Sequence, residues 1–250
     1  MKVLVDGQLI EYTDQGAGQV ILLLHGWGTD SSSLKGLADS LVGSYRVIRL
    51  DFPGFGGSPA PQADWFVGDY AALVGEFIKK IDVAPYAIMG HSFGGRVIIK
   101  GIATHAYTAE KLVLMGSAGV KPAQSAKKQV FKAVAKVGKA ATSLPGMGSV
   151  RKKLRERLYS VAGSTDYLKS GELQKTFLNT INEDLLPLVP SITQPTLMLW
   201  GEDDHDTPVA DAQKIKAQLK NAELIVIEDA GHYVFIDQPA AVQDALGRFL

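Results

Sequence analysis

The stretch Pro85-Tyr86-Ala87-Ile88-Met89-Gly90-His91-Ser92-Phe93-Gly94-Gly95-Arg96 constrains this chain most, because an apolar strand, a turn of small residues and a helix start meet on one serine. Gly-x-Ser-x-Gly alone is a weak signal: with 26 Gly and 15 Ser in 250 residues, chance gives roughly 0.16 matches. Its surroundings are more specific. A sharp strand-to-helix turn strains the serine backbone and lifts the hydroxyl clear of the sheet edge. Side chains two residues to either side would collide in such a turn, and Gly90 and Gly94 remove them. Val97, Ile98, Ile99, Gly101 and Ile102 continue as a mostly apolar helix, predicted to be buried. Ser92 is therefore the candidate nucleophile. The amide of Phe93, at the helix N-terminus, is a candidate oxyanion donor. The alternative reading is a glycine-rich turn with a solvated serine.

The rest of the chain supplies a frame for that turn. Val3 to Val5 and Gln8 to Tyr12 flank Asp6-Gly7, which predicts a hairpin. Val20 to Leu24 is a continuous apolar run, as expected of a strand buried on both faces, and it ends at His25-Gly26-Trp27-Gly28. A glycine-flanked turn there can present the Trp27 amide as a second oxyanion donor. Asp30 and the following serines cap a helix through Leu41, Tyr45 to Leu50 reads as a strand, and Trp65 to Ile81 has helical apolar spacing. After Lys111 to Met115, the sixth strand, no convincing strand occurs between Val120 and Thr193. That stretch carries three or four helical patterns, broken at Leu144-Pro145-Gly146-Met147-Gly148 and around Gly163-Ser164. Strands resume at Thr196 to Trp200 and Leu224 to Ile227, separated by a helix near Val209 to Leu219 and followed by a helix from Ala240 to Leu250. The alternation predicts an α/β fold: a mostly parallel sheet of eight strands with helices on both faces. Residues 1–119 and 194–250 form the core, and 120–193 a helical lid inserted after the sixth strand.

A serine hydroxyl needs an imidazole to take its proton and a carboxylate to fix the imidazole's tautomer. Gly201-Glu202-Asp203-Asp204-His205-Asp206-Thr207-Pro208 follows one late strand, and Asp229-Ala230-Gly231-His232-Tyr233 follows the last. The order Ser92, Asp204, His232 matches one of the known chain orders of a serine triad. On these motifs the chain, from Val20 to the C-terminus, resembles the α/β-hydrolase superfamily, in particular its lid-bearing, cofactor-independent serine hydrolases. The resemblance implies Ser92 as nucleophile, His232 as base and backbone donors at Trp27 and Phe93. The family's Gly-x-x-Asp spacing from Gly201 implies Asp204 as the acid, with Asp203 and Asp206 as rivals. The expected activity is hydrolysis of a small carboxylic ester through an acyl-enzyme. A serine nucleophile disfavours the haloalkane and epoxide chemistry that the superfamily runs through an aspartyl ester. The alternatives are carbon-carbon bond hydrolysis of a vinylogous diketone acid, and a ligand receptor that retains the triad.

Other side chains receive plainer readings. His25 orders its turn, and His91, His105 and His205 are structural or solvated. The acidic cluster around Asp204 fails the calcium-loop template, and the Gly54-Gly56-Gly57 loop lacks the residues of a phosphate cradle, so no metal or cofactor is expected. With no cysteine, there is no disulfide framework or thiolate metal site. No apolar run is long enough for a membrane span, and the opening residues do not form a signal peptide, so the expected location is cytoplasmic. Lys+Arg and Asp+Glu both number 26, which argues against nucleic acid as a partner and leaves a small-molecule substrate. The balance hides an asymmetry, since Val120 to Thr193 holds 13 Lys+Arg against 5 Asp+Glu. Lys128, Lys132, Lys136 and Lys139 fall on one helical stripe opposite Val130, Val134 and Val137. The stripe is read as a solvated lid face, with attraction of an anionic substrate or membrane surface as the alternative.

Overall fold

The central strands are mostly apolar because both of their faces are covered. The computed structural model describes residues 1–121 and 170–250. Strand β3 (Val20–Leu24) sends Val20, Leu22 and Leu24 into one core cluster and Ile21 and Leu23 into a second on the opposite face. The same period of two divides β5 (Pro85–His91), β6 (Lys111–Met115) and β7 (Thr196–Gly201). With β1 (Lys2–Val5), β2 (Gln8–Gln15), β4 (Arg46–Leu50) and β8 (Ala222–Ile227), they form an eight-stranded sheet in the order β1-β2-β4-β3-β5-β6-β7-β8. Only the β1–β2 and β2–β4 pairs are antiparallel. Asp6 and Gly7, at φ 44° and 78°, form the tight turn between β1 and β2.

Helices cover both faces. One face carries α2 (Val67–Lys80), α3 (Phe93–Ala103) and α5 (Val209–Lys216). The other carries α1 (Lys35–Leu41), α6 (Val234–Asp237) and α7 (Pro239–Phe249). Helix α4 (Gln174–Asn182) lies instead against the loops that follow β4. The Trp65 amide donates to Thr176 Oγ1 at 3.0 Å, and Asn179 Nδ2 donates to the Trp65 carbonyl at 3.2 Å.

The structure adjusts several boundaries. Strand β2 runs on to Gln15 because Thr13, Asp14 and Gln15 pair with β4. The helix after Asp30 opens as a 3-10 turn over Ser31–Leu34, capped by an Asp30 carboxylate that accepts from the Ser32 amide. Trp65 and Phe66 stay outside α2: Phe66 is extended and its amide donates to Asp69 Oδ2 at 2.7 Å. The expected closing helix is α7, which begins one residue earlier with Pro239 at its first position, and the short α6 precedes it. Of residues 120–193, the described part holds a short 3-10 turn at Gly171–Leu173, then α4 and a second 3-10 segment at Leu186–Ser191. The expected breaks at 144–148 and 163–164 and the lysine stripe at 128–139 lie outside the described residues.

After β3 the chain goes to β4 on one side of it, then crosses back to β5 on the other. The connections leaving β3 and β5 therefore diverge, and a crevice opens between their carboxyl ends.

Packing fixes one prediction. In an open helix Gly→Ala stabilises by up to ~1 kcal/mol, but a Cβ on Gly75 of α2 would lie 2.4 Å from the Ala106 carbonyl oxygen. Gly75→Ala is expected to destabilise by about 1–3 kcal/mol in denaturant unfolding, through overpacking against main chain. A stabilised variant would contradict the α2 packing.

Candidate active site

The turn at the end of β5 is as tight as its glycines imply. A Cβ on Gly90 would lie 2.5 Å from the Gly94 carbonyl carbon, and one on Gly94 would lie 2.2 Å from the Leu24 oxygen at the end of β3. Ser92, between them, has φ 49° and ψ −107°, a conformation that L-residues with a Cβ rarely adopt. Its main chain is held at both ends: its amide donates to Met115 O at 3.0 Å, and its carbonyl accepts from Arg96 (3.2 Å) and Ala118 (3.1 Å). Ser92 remains partly exposed between the buried His91 and Phe93. Trp27 leaves β3 at the adjacent carboxyl end, across the crevice. The amides of Trp27 and Phe93 make no hydrogen bond among the described residues.

Asp204 and His232 come from the loops after β7 and β8, at the same edge of the sheet. His232 Nδ1 lies 2.9 Å from Asp204 Oδ2. A carboxylate only accepts, so Nδ1 carries the proton and Nε2 keeps the lone pair with which to take one. Asp204 Oδ2 also lies 2.8 Å from the Thr207 hydroxyl, while Oδ1 accepts from the amides of Asp206 at 2.9 Å and Thr207 at 2.8 Å. The Thr207 hydroxyl is also 2.9 Å from Gly116 O; its single proton serves one acceptor at a time. Burial alone would raise the Asp204 pKa, but the hydrogen bonds from His232 and Thr207 and the attraction of His232 outweigh it and hold the carboxyl below its ordinary range. Asp203 and Asp206, the rivals, are exposed, whereas Asp204 is buried.

The remaining histidines divide. His25 is buried: Nε2 accepts from the Phe52 amide at 3.0 Å, so Nδ1 carries a proton and donates to Gly26 O at 2.7 Å. That pair of bonds ties the turn after β3 to the loop after β4, and burial lowers the imidazole's pKa. His91 is buried beside His232, and burial, reinforced by repulsion from His232, pushes its pKa down to about 3. His105 and His205 are exposed. Among the described residues no group of three or more His, Cys, Asp or Glu comes together in a way that could hold a metal ion. No described helix is long and apolar enough to cross a membrane.

Aromatic rings cluster around Trp27. The Trp27 ring lies 5.2 Å from Phe93, 5.0 Å from Phe55 and 5.2 Å from Phe177 of α4, and its Nε1 donates to Ser170 Oγ at 3.1 Å. The residues after the undescribed stretch thus meet the turn that carries Trp27. They are also pinned to α3, where Arg96 Nη1 donates to Glu183 O at 2.6 Å and Lys100 pairs with the Glu183 carboxylate at 2.7 Å. Thr207 and Phe177 are not among the residues to which the sequence motifs point. Only Thr207 left a trace there, as a hydroxyl three residues beyond the buried acid.

The chain belongs to the alpha/beta hydrolase family, whose model matches residues 21–245. It is 26% identical to a 2-hydroxy-6-oxononadienedioate/2-hydroxy-6-oxononatrienedioate hydrolase of Pseudomonas sp over 90% of this chain and 85% of the relative. An esterase of Exiguobacterium antarcticum superposes with a TM-score of 0.77 at 25% identity, covering 99% of this chain and 98% of that one. A membrane phospholipase A described as a bacterial virulence factor superposes with a TM-score of 0.78 at 26% identity, over 100% of this chain and 84% of that one.

The buried histidines predict how stability responds to acid. The His91 pKa is about 6.5 when unfolded and about 3 when folded, so between those values the unfolded chain binds a proton that the folded chain does not. Stability contributed in this way is full above about pH 6.5 and is lost as pH falls toward 3. Asp204 acts in the same sense in a lower window, retaining its contribution above its ordinary pKa and losing it as pH falls through its lowered folded value. The Tm is expected to decline steadily below pH 6.5, with a shallower slope in His91→Gln. Equal slopes in the two proteins would show that His91 is not held neutral by the fold.

Proposed function

We propose that this protein is a serine hydrolase that cleaves a small carboxylic ester through an acyl-enzyme. The observation that carries the reading is the 2.9 Å Asp204–His232 hydrogen bond, made at the sheet edge where Ser92 is held in its strained turn. Ser92 Oγ attacks the carbonyl carbon as His232 Nε2 takes its proton. The charge that develops on the carbonyl oxygen meets the amides of Trp27 and Phe93. The carbon-oxygen bond to the leaving alcohol then breaks, and His232 returns the proton to the alkoxide. Water, deprotonated by the same imidazole, hydrolyses the acyl-enzyme and regenerates Ser92. Asp204 holds the tautomer and stabilises the imidazolium. The aromatic cluster of Trp27, Phe55, Phe93 and Phe177 favours an apolar group on the substrate and exclusion of bulk water. The 120–193 insertion is the lid in this reading.

A second reading, carbon-carbon bond hydrolysis of a dienoate, is favoured by the name of the Pseudomonas relative. It would need a cationic group for the substrate carboxylate. Two assays separate the readings. Turnover of short p-nitrophenyl esters without cleavage of a 2-hydroxy-6-oxo-dienoate supports the ester reading, and the reverse supports the second.

Ser92→Ala is expected to fold normally and to lower kcat by about 10⁴-fold or more, and Asp204→Asn by about 10³–10⁴-fold. Asp203→Asn and Asp206→Asn should stay near wild type. A sensitive Asp203 or Asp206, or a Ser92→Ala variant that still turns over, would overturn the assignment.

A further inference from the structure

We propose that His91 is a positioning residue: its buried imidazole donates from Nε2 to the main-chain carbonyl of His232 and so fixes where the His232 ring stands relative to Ser92. The inference rests on the reading of His232 as the general base. The two atoms are 3.0 Å apart and join residues 141 positions apart in sequence. A carbonyl only accepts, so the His91 proton is on Nε2 and the lone pair on Nδ1. Nδ1 is buried and has no hydrogen-bond partner among the described residues. It is wedged against the turn that carries Trp27, since a Cβ on Gly26 would lie 2.8 Å from it. The ring packs on His232, Tyr233 and Phe235 at centroid distances of 4.7, 4.8 and 5.1 Å.

An apolar ring of this size would fill the same space without leaving a buried nitrogen unpaired, which costs stability. What the imidazole supplies beyond packing is the single donor aimed at His232. His91 is also the chain neighbour of Ser92. The bond therefore sets the base from the same main chain that sets the nucleophile. His232 is then constrained at two points: its ring by Asp204 and its backbone by His91. A small misplacement of a base costs far more in rate than in binding, because only the transition state requires the geometry.

The test compares His91→Asn with His91→Gln. The Gln amide nitrogen reaches the position of Nε2, whereas the shorter Asn amide ends near the position of Nδ1. His91→Asn is expected to lower kcat on a p-nitrophenyl ester by about 10- to 100-fold with KM changed by less than about threefold. His91→Gln should recover most of that loss. The far-downfield proton resonance of the Asp204–His232 hydrogen bond should persist in His91→Gln and broaden or vanish in His91→Asn. Equal losses in both variants, or none in either, overturn the inference whether or not Ser92 is labelled by a fluorophosphonate. An unlabelled Ser92 together with an intact Asn/Gln difference in the resonance overturns the functional reading alone.

Discussion

A serine held at φ 49° costs backbone energy on the order of 1–3 kcal/mol, and the turn persists because its surroundings leave no alternative. Strand β6 holds the Ser92 amide, Arg96 and Ala118 hold its carbonyl, and Gly90 and Gly94 allow main chain to approach main chain at distances that no Cβ would tolerate. Once that turn is fixed, much follows from it. Helix α3 must leave the sheet with Phe93 as its first residue. The end of β3 must lie against Gly94, which brings the Trp27 ring to 5.2 Å from that of Phe93. The large buried surface of the two cores supplies the stability that this local strain draws on.

The same logic governs the carboxylate. Asp204 is buried among apolar elements, a position that would keep a lone carboxyl neutral. Two backbone amides, a hydroxyl and an imidazole N–H reverse that balance and keep it ionised. Its exposed neighbours Asp203 and Asp206 have no such set of donors. Charge is thus confined to the one acidic position from which it can orient His232.

The strands and their order along the chain were legible because burial on both faces leaves an apolar run that few other structures need. The turn at Ser92 was legible because an apolar strand, small residues and a helix start meet there, and the nearness of Asp204 to His232 because each follows one of the last two strands. The boundaries of β2 and α2 were less so, since pairing with β4 and an Asp69 carboxylate decide them rather than periodicity. Between three aspartates within four residues, spacing pointed to Asp204 only through a family resemblance. The loop's path and its burial now distinguish it physically. The role of His91 was invisible, because it depends on a contact across 141 positions of sequence, and Thr207 was marked only by its place three residues beyond Asp204. The sheet order and the docking of α4 on the loop at Trp65 are tertiary facts of the same kind.

In the proposed reaction Ser92 carries the acyl group covalently between the two half-reactions. The direct measurement is intact-mass and peptide-mapping spectrometry of enzyme quenched in acid within the first turnovers of a slow p-nitrophenyl ester. One added acyl mass is expected, located on Ser92 and decaying at the rate of steady-state turnover. Product released with no adduct at any stage of the burst, or an adduct on another residue that turns over at the catalytic rate, would contradict it.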